Sequence, residues 1–143
     1  MTTFAGDVGL AGGGAIDSTS FGGQANLKVV DSVFKKNKAI QVNTSEFGGG
    51  AVNVDANGGT VDVLVLSSVF ELNEASNAGG AVQFVKFRSE STLRVKWINN
   101  KELLLANDAE EGCDGGAKLD TDAEVLVCFN VGDNFSEEIL PVS

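Results

Sequence analysis

The residues best suited to chemistry lie in one acidic run, Asn107-Asp108-Ala109-Glu110-Glu111-Gly112-Cys113-Asp114. Carboxylates set this close are hard oxygen donors of the kind that hold Ca²⁺. Asp108, Glu110, Glu111 and Asp114 are therefore the candidate metal ligands. The run lacks the Asp-x-Asp-x-x-Gly order of a calcium loop, and a solvated acidic loop explains the same residues. No catalytic group and no cofactor site stands out elsewhere. The chain contains no His, which excludes Ser-His-Asp and Cys-His machinery. Gly12-Gly13-Gly14 and Gly48-Gly49-Gly50 superficially suit a phosphate loop, yet no Gly-Lys-(Ser/Thr) follows either of them. Thr19, Thr44, Thr60, Thr92 and Thr121 lie at no constant interval, so the regular flat Thr array of an ice-binding face is not expected. Cys113 and Cys128 lie 15 residues apart and fit no four-ligand metal signature. Two readings stay open for them: a disulfide across one coil, or two unpaired small residues at the core or edge.

The elements that carry these residues are set by two alternating motifs. The first is Gly-Gly-Ala plus an apolar residue, at Gly13-Gly14-Ala15-Ile16, Gly49-Gly50-Ala51-Val52 and Gly79-Gly80-Ala81-Val82, with a degenerate copy at Gly115-Gly116-Ala117-Lys118. The second is aromatic-x-x-Asn, at Phe34 to Asn37, Phe70 to Asn73 and Trp97 to Asn100, with Phe4 to Asp7 as an earlier copy. Ala15 to Ala51 is 36 residues, Ala51 to Ala81 is 30 and Ala81 to Ala117 is 36; Phe34 to Phe70 is 36 and Phe70 to Trp97 is 27. Fixed motifs with variable segments between them mark a repeat architecture whose insertions become loops.

Leu27 to Phe34 aligns with Val63 to Phe70, and both read as strands with alternating apolar positions. Leu93 to Trp97 is a shorter third copy; Val125 to Asn134 is a fourth, with Val131 at the aromatic position. Lys101 to Glu111 is the one helix-like stretch, read as a loop with one or two helical turns; a further strand with a long acidic loop is the alternative. Short strands joined by Gly-rich bends and repeated in phase predict an all-β chain, a parallel β-helix of about four coils. Layers about 4.8 Å apart then stack identical positions. Phe34, Phe70 and Trp97 are expected to form an inward aromatic column, and Asn37, Asn73, Asn100 and Asn134 an amide ladder at a bend. The Gly pairs are expected to supply left-handed or close-packed backbone at a corner.

Gly-Gly-Ala-(Ile/Val) alternating with Phe-x-x-Asn resembles the repeats of the chlamydial polymorphic outer-membrane protein family and of related right-handed β-helix proteins. The resemblance runs from residue 4 to about residue 134. It implies a right-handed helix. The motif spacing itself gives units near 4–33, 34–69, 70–96 and 97–134 and a tail or cap over 135–143, and the length fits one domain spanning 1–143. The resemblance also implies an adhesion-like passenger region at the cell surface or outside the cell. It brings no catalytic residues. Arg94-Val95-Lys96 is similar to an Arg-Ile-Lys segment of polygalacturonase-like enzymes, but the His and paired Asp that accompany that segment are missing.

Net charge is −10, which argues against nucleic acid and against an anionic membrane surface as partners. No apolar run approaches the ~20 residues needed to span a bilayer, so no direct membrane insertion is expected. Met1 to Asp7 has neither the basic region nor the apolar core of a signal peptide, which leaves a cytosolic chain or a processed boundary as the readings. The repeat phase opens at Phe4, inside a unit, and the expectation is a slice of a longer array or a subunit whose N-terminal coil is covered by a protein partner or further repeats. The expected function is a non-catalytic structural or binding module. The alternatives are a carbohydrate-binding or polysaccharide-degrading β-helix protein and an accessory subunit of a large complex, the last in an organelle lumen.

Overall fold

In the strand Thr60–Leu66, Val61, Val63 and Val65 are buried, while Thr60, Asp62, Leu64 and Leu66 are half-buried. That period of two gives one side of the strand to the core and the other to solvent. In the computed structural model of the protein, parallel neighbours flank it on both sides, Gln24–Val30 on one and Thr92–Ile98 on the other. The structure describes residues 1–10, 13–40, 49–76, 78–86, 88, 90–101, 107–109, 112–113, 116–120, 126–131 and 134–140. Register carries the apolar positions across this long face: Ala25, Val61 and Leu93 stand opposite one another, then Leu27, Val63 and Val95, then Val29, Val65 and Trp97.

A second sheet is built in the same way from Ile16–Ser20, Val52–Ala56, Val82–Lys86 and Gly116–Asp120, all parallel. A third pairs Thr2–Ala5, Ser32–Lys35 and Val69–Glu71, with a bridge from Val69 to Lys101. A fourth joins the two-residue strands Val8–Gly9, Lys38–Ala39, Glu74–Ala75 and Asp108–Ala109, and Ala78–Gly79 pairs with Gly112–Cys113. The first three strands of the third, fourth and second sheets and of the long face recur along the chain in that order. Partner residues are separated by 36 positions between Gln24 and Thr60, by 32 between Thr60 and Thr92, and by 30 between Val52 and Val82. The molecule is all-β with parallel sheets, and no helix occurs among the described residues.

Between the sheets, Val54, Phe84, Val61, Val63, Val95 and Val131 fill one apolar cluster. An aromatic column runs through it. Phe4, Phe34 and Phe70 stack with ring centroids 4.9 and 4.8 Å apart, and Trp97 closes the column 5.1 Å from Phe70. The route by which Trp97 arrives differs from the sequence alignment. It stands opposite Val65 on the long face, not opposite Phe70. The pass between those strands takes 32 residues where the preceding one takes 36, so a residue 27 after Phe70 is still on the earlier strand. The larger indole crosses the interior to reach the column, and its Nε1 donates to the Val131 carbonyl at 2.9 Å.

The amide ladder is corrected with it. Asn37 N and Nδ2 donate to Asn73 Oδ1, and Asn73 N and Nδ2 donate in turn to Asn107 Oδ1. Asn107, not Asn100, is the third rung. Asn100 continues a different column, in which Ser32 N donates to Ser68 Oγ and Ser68 N donates to Asn100 Oδ1. Asn134 belongs to neither; its Oδ1 accepts from Asn99 N at an exposed site. The left-handed backbone lies just ahead of these caps, at Lys36 and Leu72 before Asn37 and Asn73, and at Asp31, Ser67 and Asn99 before Ser32, Ser68 and Asn100.

The glycine pairs serve closeness rather than left-handedness. Among the described glycines, positive φ occurs at Gly6, Gly22 and Gly58, none of them in a Gly-Gly-Ala motif. A Cβ on Gly14 would strike the Gly50 carbonyl, and one on Gly50 would strike the Gly80 carbonyl. The fourth motif copy is displaced by one residue, since Ala117 rather than Lys118 stands opposite Val82. The fourth expected strand also runs the other way. Leu126–Asn130 lies antiparallel against Gly116–Asp120, and Phe135–Ile139 lies antiparallel against Thr92–Ile98.

Candidate functional site

The acidic run does not assemble as a site among the described residues. Asp108 opens the strand Asp108–Ala109, and its N–H donates to the Asn73 carbonyl at 2.9 Å. Its side chain is exposed, opposite Glu74 across the pair. Glu110, Glu111 and Asp114 lie outside the described residues, as do the side chains of Cys113 and Cys128. No group of three or more His, Cys, Asp or Glu side chains converges on one point among the described residues.

The polar surface with the most organised geometry is the outer side of the long face. Asn26, Asp62 and Arg94 occupy one register row, with Glu138 of the antiparallel strand next to Arg94. Arg94 Nη1 donates to Asp62 Oδ1 at 3.2 Å, Arg94 Nε donates to Glu138 Oε1 at 3.0 Å, and Gln24 Nε2 donates to Asp62 Oδ2 at 3.2 Å. The Glu138 hydrogen bond, followed by the Asp62 bond, holds the Arg94 guanidinium more firmly protonated than usual. Arg94 and Glu138 are about half exposed, so each pair is worth little in stability. Their effect is to fix a planar cation between two carboxylates across three strands.

One row along, Lys28, Leu64 and Lys96 stand opposite one another, so two ammonium groups flank an apolar side chain. These rows border a shallow groove of about 350 Å³ lined by Asn26, Lys28, Asp62, Leu64, Arg94 and Lys96. Such a surface can recognise a ligand through donors, acceptors and a strip of apolar contact. Its one carboxylate from the parallel strands, Asp62, is engaged by Arg94 and Gln24.

Sequence reading singled out Arg94 and Lys96 for their similarity to an enzyme segment; the fold places both on this outer side with Asp62 between Asn26 and Arg94. The missed partner is Asp62. Strand parity marks it as outward, but only the 32-residue offset of the third pass puts it beside Arg94. No protein-family model matches the chain, and no curated protein and no solved structure matches it.

Proposed function

We propose that the chain is a right-handed parallel β-helix of about four coils that works as a non-catalytic docking module within a longer protein or a larger assembly. One observation carries this reading. The strands at one end, Thr2–Ala5, Val8–Gly9, Ile16–Ser20 and Gln24–Val30, each pair on one side only among the described residues. Each therefore keeps one free edge, and in or next to these strands in the chain Val8, Leu10 and Phe21 are 58%, 61% and 80% exposed. A row of unpaired N–H and C=O groups beside apolar side chains is a template for further parallel strands. Phe4, half-buried, continues the aromatic column to this end. The occupant that fits is another polypeptide of the same strand pattern, with an apolar side chain to cover Phe4. The resemblance to polymorphic outer-membrane repeats agrees with an adhesive or scaffolding role at a cell surface.

The phase of the repeat supplies the experiment. Thr2 stands opposite Ser32, so a copy of residues 1–30 joined ahead of Met1 would add one pass in register. In a stacked array, stability grows with each nearest-neighbour interface. The extended chain is expected to melt at a higher temperature, and the amides of Asn26 and Lys28 to exchange with deuterium at least about tenfold more slowly. Lys28→Pro within the extended chain removes an N–H that alternation aims at the added pass, and should reverse part of the gain. An extended chain with unchanged edge-amide exchange would sink the stacking reading.

A further inference from the structure

On the side of the second sheet turned away from the apolar cluster, four polar side chains form a grid, although Val52–Ala56 is buried on both sides. Asp17 and Thr19 come from Ile16–Ser20, and Asn53 and Asp55 come from Val52–Ala56. Asp17 stands opposite Asn53, and Thr19 stands opposite Asp55. Residues two apart on a strand share a side, so all four project the same way. The grid measures about 4.8 Å across the strands and about 6.6 Å along them. Asn53 Nδ2 donates to Asp17 Oδ1 at 2.9 Å and to Asp55 Oδ2 at 3.4 Å.

Asn53 and Asp55 are 1% and 8% exposed, whereas Asp17 reaches solvent. Asn53 Oδ1 and Asp55 Oδ1 are both buried without a hydrogen-bond partner. Unmet buried acceptors are rare and ask for a donor or a cation. Neither Asp17 nor Asp55 pairs with a Lys or Arg among the described residues. Burial, and then the charge of Asp17, push the Asp55 carboxyl up to about 6, against the opposing bond from Asn53. The grid therefore holds two carboxylates without a counter-charge, two unmet oxygens, and a hydroxyl beside them.

We propose that Asp17, Thr19, Asn53 and Asp55 form a Ca²⁺ site. All its donors are hard oxygens, and the grid supplies no nitrogen or sulfur ligand, so transition metals are disfavoured. Ca²⁺ accepts six to eight oxygens in irregular geometry, whereas Mg²⁺ demands near-ideal octahedral placement and keeps its waters. The four side chains supply a partial shell that water completes on the exposed Asp17 side. Turning the Asn53 amide over gives up its two bonds to Asp17 and Asp55 and aims its oxygen at the ion between the carboxylates. The site is distinct from the acidic run that contains Asp108.

The test is a CaCl₂ titration of the full chain after EDTA treatment, following the Asn53 side-chain amide by NMR and the thermal midpoint in parallel. A saturable shift of the Asn53 amide is expected with a Kd of about 0.1–1 mM, the range of weak oxygen sites, together with a rise in midpoint. MgCl₂ should not reproduce the shift. Asp17→Asn should weaken binding at least about tenfold, and Asp55→Asn should abolish it. Asp17 is exposed, so its variant keeps the test valid if Asp55→Asn does not fold. Asp108→Asn should leave binding unchanged. The proposal fails if the Asn53 amide does not shift by about 10 mM CaCl₂, if Asp17→Asn binds as tightly as the parent, or if Asp108→Asn removes binding.

Discussion

Asn73 has no exposed surface and uses both ends of its amide twice. Its Nδ2 donates to Asn107 Oδ1 at 2.8 Å and to the Phe34 carbonyl at 3.1 Å, while its Oδ1 accepts from Asn37 N and Nδ2. It also follows Leu72, whose φ of 56° is strained for a residue with a branched side chain. The ladder is what holds that corner in place. Asn73→Ala strands several buried groups at once and is expected to cost about 3–5 kcal/mol. Asn134 makes its bond to Asn99 N at an exposed site, where water replaces it, and Asn134→Ala should cost less than about 1 kcal/mol. Urea unfolding of the two variants measures the contrast; equal losses would show that the ladder does not secure the corner. Asn37 and Asn73 were legible in the sequence because Phe34 and Phe70 precede them at a constant spacing. Asn107 was not, because Leu104 rather than an aromatic residue lies three positions before it. Trp97-x-x-Asn100 imitates the motif in a different register.

At the scale of the element, each Gly-Gly-Ala segment is a place where successive passes touch backbone to backbone. Ala51 N donates to the Ala81 carbonyl at 2.7 Å, and Ala15 N donates to the Ala51 carbonyl at 2.8 Å. A Cβ at Gly50 would meet the Gly80 carbonyl and crowd Glu74 N and O at 2.8 Å. Since all three contacts are backbone, nothing flexible can yield. Gly50→Ala is therefore expected to destabilise the protein by on the order of 3 kcal/mol. Gly23 offers the comparison: a Cβ there meets nothing within 4 Å and the backbone is not left-handed. Gly23→Ala should be neutral or stabilising by up to about 1 kcal/mol, through the unfolded chain. Thermal midpoints of the pair decide it, and a harmless Gly50→Ala would mean that the corners are looser than these contacts. The strands and their parallel pairing were readable from alternating apolar residues at a fixed period. The reversal of Leu126–Asn130 was not: strand propensity is the same in either direction, and only tertiary pairing fixes the sense.

For the whole molecule, the two ends of the sheets are treated differently. At the end formed by Thr92–Ile98, the long face is closed by Phe135–Ile139, which pairs antiparallel over five residues from Trp97↔Phe135 to Leu93↔Ile139. This strand brings Glu138 to Arg94, and the segment after it brings the Leu140 carbonyl to Lys86 Nζ at 2.9 Å. Lys86 is 1% exposed, so part of the solvation of a buried ammonium comes from that carbonyl. Removal of residues 135–143 would uncover a seven-residue edge whose Leu93, Val95 and Trp97 belong to the core. Long exposed edges recruit other strands. The net charge would change only from −10 to −8, through loss of Glu137 and Glu138, so reduced repulsion is a minor contributor. A chain ending at Asn134 is expected to lose on the order of 3 kcal/mol, a fall of about 10 °C in midpoint, and to run as larger species at concentrations where the full chain does not. Size-exclusion chromatography with light scattering reads the second effect directly. If the shortened chain kept its midpoint and its mass, the antiparallel strand would be a passenger on the sheet instead of its closure.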